Sequence, residues 1–280
     1  MTGRWTETTN DRRVLANHQR AVRPVPFSSP RTGPCRHARP LALDGGDVTV
    51  MINLPTGRHA VLSGFTFLRG GRSMEGYSHS KADLFLWDYI KEQDFAIPKY
   101  AVEFGALDGI LNSNIRIFLE RGWSGMWIEP SVESFRKLEN NIDNLDVEIL
   151  NCAVADFDGS QTFYYHDNHP GGSSLIHHSQ RRFHPKRTAE YNDKTSYDVE
   201  CKRLVSILGD RPVGLMTIDA EDMDTRIVRD LISTPEVRPH IVMSEGRSEE
   251  EVSKQQEAMS KEYDLVTLNG RNNSIFCRRR

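Results

Sequence analysis

The chain has 280 residues and a formal net charge of −3; 38% of its residues are apolar and 27% are charged. This size and composition suit a soluble globular protein with a good core. The small negative charge gives no overall reason to expect nucleic-acid binding, and no apolar run approaches the roughly 18 residues that a membrane span needs. The four scattered cysteines show neither Cys-x-x-Cys nor zinc spacing, which favours reduced thiols and a cytoplasmic location.

The first 75 residues differ in composition from the rest. Residues 1–40 contain eight arginines, no lysine, two acids and five prolines. The segment has too little apolar surface to offset the entropy of ordering, so 1–75 is predicted to be a disordered basic extension ahead of a folded domain at 76–280. A basic arm for nucleic acid or membrane surfaces, a transit peptide, and a true start at Met51 or Met74 are the alternatives.

Helical and strand patterns alternate from Ser78 onward. The first predicted elements are a helix at 82–93, a strand at 100–105, a helix at 112–121, a strand at 125–130, a helix capped by Ser131, and a strand at 146–156. This order predicts a parallel sheet with right-handed crossovers.

A polar, histidine-rich loop at 166–196 follows a predicted strand at 161–166, and the alternation of helices and strands continues after this loop. That loop is long for a connector and would suit a lid or a substrate-recognition element; an exposed polar loop is the alternative. The later predicted elements are strands at 161–166, 213–222, 240–246, 264–269 and 274–279, a strand and helical piece within 197–208, and helices at 224–233 and 248–262. The last two strands form a predicted hairpin, which places one antiparallel strand in the sheet.

The stretch YAVEFGALDG (100–109) ends a strand in a turn that carries two glycines. A dinucleotide site would have Gly-x-Gly-x-x-Gly, which admits a pyrophosphate to a helix N-terminus. Here Leu107 takes the middle position and the third glycine is absent. The carboxylate of Asp108 disfavours a phosphate and favours a cationic or hydroxyl-bearing ligand.

Acids also end the next two predicted strands. Glu129 is placed to accept hydrogen bonds from a ribose diol, and Asp156, beside Ala153 and Val154, is placed to meet an adenine edge. Strand-end acids without a phosphate signature indicate a nucleoside without phosphates. S-adenosylmethionine fits this description.

The run VEFGALDGILNSNIRIFLERGWSGMWIEPSVESFRKLENN (102–141) closely resembles the FkbM-type methyltransferases, a branch of the class I S-adenosylmethionine-dependent enzymes. It contains their Glu/Asp-x-Gly-Ala-x-Asp-Gly turn, their Ser-Asn pair, and their Gly-Trp-x-Gly before a strand ending in Glu-Pro. LMTIDAEDMDTRIVRDL (215–231) and RPHIVMSEG (238–246) resemble two later family stretches, with Asp222 where the family usually has glycine. The resemblance implies an α/β, Rossmann-like class I methyltransferase fold with a mostly parallel seven-stranded sheet, one antiparallel strand, and helices on both faces.

The residues and the resemblance together predict the cofactor-binding set. Its members are Glu103, Gly105, Ala106, Asp108, Gly109, Ser113, Asn114, Glu129, Pro130, Ala153 and Asp156. Local capping is the alternative role for Asp108, Ser113 and Asn114.

Catalytic roles are predicted for Asp219, Glu221 and Glu245. Asp219 ends a strand beside the expected position of the transferable methyl group, where it would orient a substrate hydroxyl or accept its proton. A solvated helix N-terminus is the alternative. A Mg²⁺ site is considered but not favoured, because no histidine stands at a ligand spacing.

The resemblance implies O-methylation of a hydroxyl on a sugar or polyhydroxylated metabolite. The expected partner is therefore a small-molecule or glycan acceptor and not a nucleic acid. A non-catalytic binding protein of the same fold is the alternative, with a NAD-dependent oxidoreductase less favoured. The sequence predicts neither the identity of the acceptor nor the oligomeric state.

Overall fold

The structure, a computed structural model, describes residues 49–53, 59–63, 76–79, 81–93, 96–142, 144–166, 169–176, 194–269 and 273–279. All of them lie within the unit Arg36–Arg280. In these ranges no helix is both long and apolar enough to cross a bilayer.

The elements are numbered in chain order. The helices are α1 (Ala82–Glu92), α2 (Arg116–Leu119), α3 (Val132–Asn140), α4 (Leu204–Leu208), α5 (Asp224–Ser233) and α6 (Glu249–Met259), with a 3₁₀ turn at Pro170–Gly172. The strands are β1 (Thr49–Asn53), β2 (His59–Ser63), β3 (Tyr100–Phe104), β4 (Ser124–Ile128), β5 (Val147–Leu150), β6 (Ala153–Val154), β7 (Gly159–His166), β8 (Lys194–Lys202), β9 (Leu215–Ile218), β10 (Ile241–Glu245), β11 (Tyr263–Asn269) and β12 (Asn273–Arg278).

Seven strands form the main sheet, in the order β11-β12-β10-β9-β3-β4-β5. Only β12 runs against the others: it pairs antiparallel with β10 and with β11, whereas the remaining pairs are parallel. The predicted fold class and the terminal antiparallel pair are confirmed. The strand order reverses between β3 and β9, and ligands bind at such a switch point, beyond the carboxyl ends of the strands.

Helices cover both faces of this sheet. Along β3, Ala101 packs into one buried apolar cluster and Val102 into the other, because successive side chains of a strand point to opposite faces. The first cluster contains apolar residues of α1, α2 and α3, and the second contains residues of α4, α5 and α6. In α1 the buried Leu86, Tyr89 and Ile90 recur at the three- and four-residue spacing of one helical face.

A second, three-stranded sheet interrupts the alternation. In it β8 pairs antiparallel with β7 and parallel with β6. The predicted strand at 146–156 is therefore two strands in different sheets. The break falls at Asn151, whose side-chain nitrogen donates to the carbonyl oxygen of Glu129 at 2.8 Å.

The helix predicted at 112–121 begins later, at Arg116. Asn112 has a left-handed backbone with φ +60°, and Ser113 and Asn114 are tied to the carboxylate of Glu103. These contacts hold 112–115 in a loop. The predicted cap of α3 is confirmed, because the Ser131 side chain accepts from the backbone N–H of Ser134.

Two ranges that the sequence singled out are described only in part. β1 and β2 form an antiparallel pair inside 1–75. The other residues of 1–75 lie outside the described residues, and both the disordered extension and its boundary at residue 75 stay predictions. Within the loop at 166–196, residues 167–168 and 177–193 lie outside the described part, including three of its histidines.

Candidate active site

A cavity of about 650 Å³ lies at the carboxyl ends of β3, β4, β9 and β10. Its volume is in the usual range for small-molecule sites. The segment from His169 to Leu175 and the residues just before α1 complete its wall. The cavity thus occupies the position that the strand order favours.

The structure brings most of the predicted site residues to this cavity. Those that line it are Gly105, Asn114, Glu129, Pro130, Ala153, Asp219, Glu221 and Glu245. Those that do not line it are Glu103, Ala106, Asp108, Gly109, Ser113 and Asp156.

The turn after β3 requires glycine at position 105. Gly105 has φ +75°, and a Cβ there would lie 2.2 Å from the carbonyl oxygen of Asp219. The missing side chain therefore lets the ends of β3 and β9 approach each other. Leu107 also has a left-handed backbone, with φ +50°, and its N–H donates to Glu129 Oε2 at 2.8 Å.

Glu103 supports this loop from inside the protein. Its buried carboxylate accepts hydrogen bonds from Ser113 Oγ (2.7 Å), from the backbone N–H of Asn114 (2.5 Å) and from Trp127 Nε1 (2.8 Å). Burial raises the pKa of Glu103 to about 7, and these hydrogen bonds oppose the shift. Ser113 Oγ also accepts from the N–H of Arg116, which is the capping role that the sequence left open.

Glu129 faces the cavity from the end of β4. Its Oε2 accepts from Leu107 N–H and its Oε1 from Ser131 N–H, both at 2.8 Å. Burial raises its pKa to about 7; the two N–H donors oppose this rise and the charge of Asp219 adds to it. Each carboxylate oxygen accepts more than one hydrogen bond, so Glu129 retains acceptor capacity for a ligand hydroxyl.

Asp108 and Asp156 make local contacts instead of lining the cavity. Asp108 Oδ1 accepts from the N–H groups of Ile110 and Leu111, at 2.9 and 2.7 Å. Asp156 forms a two-pronged pair with the guanidinium of Arg226, at 3.0 and 2.5 Å. The contacts of Asp108 are the local cap that the sequence left as an alternative. The Asp156–Arg226 pair joins residues seventy positions apart, so no local sequence pattern reveals it.

An apolar wall lies where the sequence expected Asp156 to meet a ligand. It is formed by Ile128, Cys152, Ala153, Val154, Phe163 and Leu175. The sequence indicated Ala153 and Val154. Burial raises the pKa of the Cys152 thiol to about 12, so it stays protonated and acts as a small apolar group.

Three carboxylates meet at the opposite end of the cavity. Oxygens of Asp219, Glu221 and Glu245 all lie within 4.8 Å of one another. Asp219 is partly exposed to the cavity, yet the protein around it removes enough water to raise its pKa; a hydrogen bond with Glu245 and the charge of Arg247 oppose that rise. The oxygens of Asp219 and Glu245 are close enough for each carboxyl group to influence the ionisation of the other.

The same three oxygens have a spacing that could admit a metal ion. Mg²⁺ takes six oxygen ligands, usually with several waters among them, and Ca²⁺ takes six to eight. The guanidinium of Arg247 already contacts Glu221 and lies 3.3 Å from Asp222 Oδ1. The spacing of the oxygens alone gives no reason to place a metal ion beside the positively charged guanidinium of Arg247.

The turn after β9 holds two successive left-handed residues, Glu221 with φ +47° and Asp222 with φ +73°. Such conformations cost of order 1–3 kcal/mol each at residues other than glycine, and a glycine at position 222 would avoid that cost. Here Arg247, whose side chain is 10% exposed, contacts both carboxylates. Ser174 Oγ donates to the carbonyl oxygen of Glu221 at 2.6 Å and ties the cavity wall to this turn.

The sequence did not identify Arg247 or His79 as site residues. His79 lies in the cavity wall just before α1, and His169 lies in the segment after β7. The second belongs to the histidine-rich loop that the sequence singled out without choosing a residue. Arg247 follows the strand-end acid Glu245 by two positions, a proximity that could have suggested a charge partner.

Several solved methyltransferase structures are similar to this chain at low identity. A proposed RNA methyltransferase from Pyrococcus horikoshii has 10% identity and a TM-score of 0.38, with 70% of this chain and 81% of that chain covered. The N-terminal domain of human METTL16 has 11% identity and a TM-score of 0.38, with coverage of 70% and 67%. Precorrin-6y C5,15-methyltransferase from Geobacter metallireducens has 9% identity and a TM-score of 0.36, with coverage of 69% and 87%. Similarity at this level carries no argument about substrate or mechanism.

The comparison with curated proteins found no match. The family profile described as "Methyltransferase FkbM domain" matches residues 103–265, more than half of the chain. The match spans the glycine turn, the strand-end acids Glu129, Asp219 and Glu245, and the apolar wall. The chain therefore belongs to the FkbM methyltransferase family.

Proposed function

We propose that the protein is an S-adenosylmethionine-dependent O-methyltransferase acting on a hydroxyl group of a sugar or another polyhydroxylated small molecule. One observation carries the proposal. A single cavity joins an apolar wall and the Glu129 carboxylate at one end to the Asp219–Glu245 pair at the other. A nucleoside needs the first end, and proton transfer from an acceptor hydroxyl needs the second.

The residues present fit the cofactor. Ile128, Ala153 and Val154 would cover the adenine ring, and Glu129 would accept hydrogen bonds from the ribose hydroxyls. Gly105 leaves space where a side chain would otherwise stand. When bound, the cofactor supplies a methyl group made electrophilic by the sulfonium.

Asp219 and Glu245 would handle the acceptor. Both side chains line the cavity, so an unprotonated carboxylate oxygen of either residue can accept a hydrogen bond from the acceptor hydroxyl and then its proton. Such a base contributes about 10²–10⁴-fold, and holding the acceptor in line contributes roughly 7–11 kcal/mol of the barrier in well-ordered cases. The segment from His169 to Leu175 would exclude water from this end.

Polar groups of the cavity wall support a hydroxyl-rich ligand. Asn112, Ser173 and Asn273 line the cavity together with His79 and His169, and each offers donors or acceptors for hydroxyl groups. A cytoplasmic location belongs to the same proposal, and the free thiols of the described cysteines suit it.

Isothermal titration calorimetry with three ligands tests the cofactor assignment. S-adenosylmethionine and S-adenosylhomocysteine should both bind, and NAD should not. Binding of NAD in place of the other two would replace the proposal with the oxidoreductase alternative. Cofactor binding without methylation of any acceptor would favour the non-catalytic alternative.

A further inference from the structure

The cavity wall, over the residues that the structure describes, contains four acids and neither lysine nor arginine. The acids are Glu129, Asp219, Glu221 and Glu245. Two histidines, His79 and His169, also line it. The wall therefore presents negative charge and hydrogen-bond acceptors to whatever enters it.

Not all of this acidity is available to a ligand. Glu221 contacts the guanidinium of Arg247, which lies behind the wall and offsets its charge. Oxygens of Asp219 and Glu245 lie within 4.8 Å of those of Glu221, so three carboxyl groups stand here against one guanidinium. The acceptor end of the cavity is thus left with a net negative charge.

This charge disfavours acceptors that carry phosphate. A phosphate brings one or two negative charges, and like charges in a partly desolvated site repel strongly. Proteins that bind nucleic acids or other phosphate-rich ligands neutralise phosphates with lysine and arginine, and the described wall supplies neither. Over the described residues, the wall therefore lacks the cations that would hold a phosphorylated sugar or RNA.

The same charge favours an acceptor with a protonated amine. An ammonium group donates three hydrogen bonds, and hydrogen bonds between ionised partners are about twice as strong as neutral ones. An ammonium bound by the Asp219–Glu245 pair would place a hydroxyl on the neighbouring carbon beside the same carboxylates. Charge recognition and alignment of the nucleophile would then come from one group of side chains.

We infer that the acceptor is a phosphate-free amino alcohol, in which a protonated amine stands close to the hydroxyl that receives the methyl group. The inference rests on the proposed function and names its substrate class. The acceptor oxygen bonds to the methyl carbon as the carbon–sulfur bond breaks, and the Asp219–Glu245 pair takes the hydroxyl proton. The products are the amino ether and S-adenosylhomocysteine.

A labelling experiment tests the inference without knowing the acceptor. The full chain is incubated with methyl-tritiated S-adenosylmethionine and either the small-molecule extract or the total RNA of its source cells. Labelled small molecules are separated at pH 7 on cation and anion exchangers. The label should appear in a small-molecule fraction that the cation exchanger retains, with the methyl group on oxygen by fragmentation mass spectrometry.

Each other outcome has a distinct meaning. Label in the anion-exchange fraction, in the neutral flow-through or in RNA would overturn the amino-alcohol assignment and leave a methyltransferase. Label on nitrogen would overturn the O-methyl assignment. No label in any fraction, with the cofactor bound in calorimetry, would remove both the proposed function and the inference.

A matched cycle on the purified acceptor then tests the charge recognition. Acetylating the amine of the acceptor should raise the KM of the wild type by about tenfold, because one charge-assisted hydrogen bond is lost. The same acetylation should raise the KM of Glu245→Gln much less, because this variant lacks the charge. Glu200→Gln is the control, because Glu200 pairs with Lys202 on β8 and lies outside the cavity wall; its KM values should match the wild type. An equal effect of acetylation in wild type and Glu245→Gln would exclude Glu245 from amine recognition.

Discussion

At the scale of single residues, the acids of this chain divide by what surrounds them. Glu103 is surrounded by donors of the protein itself, whereas Glu129 combines two such donors with a face on the cavity. The carboxylate of Asp108 accepts hydrogen bonds within its own turn, and that of Asp156 pairs with Arg226. Similar strand-end acids in the sequence thus have different roles, which are set by their hydrogen-bond partners.

Substitutions at Glu129 and Asp108 separate a ligand role from a capping role. Glu129→Gln removes the charge and one of two acceptor oxygens, so S-adenosylmethionine should bind about 100-fold more weakly, the loss of two hydrogen bonds to a charged group. Asp108→Asn retains the acceptor oxygen that caps the turn, so its affinity should stay within about threefold of the wild type. Calorimetry measures both, and a larger loss in Asp108→Asn than in Glu129→Gln would reverse the two roles.

Asp219→Asn tests the acceptor end. The variant keeps the shape of the side chain but cannot accept a proton, so cofactor affinity should be nearly unchanged while the methyl-transfer rate falls by about 10²–10⁴-fold. Single-turnover measurements with saturating cofactor report the chemical step directly. A wild-type rate in this variant would rule out Asp219 as the base.

At the scale of elements, the site depends on two turns, one after β3 and one after β9. Their contact is the approach of Gly105 to the carbonyl oxygen of Asp219. The second turn is held further by Arg247 and by Ser174. These contacts link segments that are far apart in the chain. A substitution in either turn should therefore also alter the position of the residues at the other end of the cavity.

Two glycine substitutions distinguish the cost of backbone strain from the cost of disrupting the approach of Gly105 to Asp219. Gly105 and Gly122 both have a left-handed backbone, with φ +75° and +79°, but a Cβ at 122 would meet nothing within 4 Å. Gly122→Ala should therefore cost only about 1 kcal/mol and leave cofactor binding intact. Gly105→Ala should lower the free energy of unfolding further and abolish binding. Urea unfolding and calorimetry measure the two effects, and equal effects would mean that the approach of β3 to β9 is unimportant.

The sequence predicted the main elements well because their signals are local. Apolar spacing located α1 and α5, and the alternation of elements predicted the parallel sheet. The departures come from long-range contacts: Glu103 holds 113–114 out of α2, and Arg226 takes the carboxylate of Asp156. Arg247 likewise becomes a partner of Asp222 only when β10 lies beside β9.

At the scale of the whole molecule, buried carboxyls set the pH dependence of stability. Burial raises the pKa of Asp83, Glu103, Glu129, Asp219 and Asp224. For Glu103 and Glu129 the folded value is about 7, against an ordinary value of 4.5. The folded state then binds protons more tightly than the unfolded state between these two values, so stability is lost as pH rises through that window.

The free energy of unfolding should therefore be higher at pH 5 than at pH 8 in the absence of ligand. The shift at Glu103 alone corresponds to as much as about 3 kcal/mol. Urea denaturation at the two pH values measures the difference. Greater stability at pH 8 would contradict the raised pKa values of these carboxyls in the folded protein.

In the proposed enzyme, one cavity both binds the cofactor and aligns the acceptor. A crystal structure of the full chain with S-adenosylhomocysteine tests this arrangement most directly. The adenine should lie against Ala153 and Val154, the ribose hydroxyls should bond Glu129, and the sulfur should point toward the Asp219–Glu245 pair. Ligand density at another site, or with the sulfur directed away from Asp219, would contradict the account.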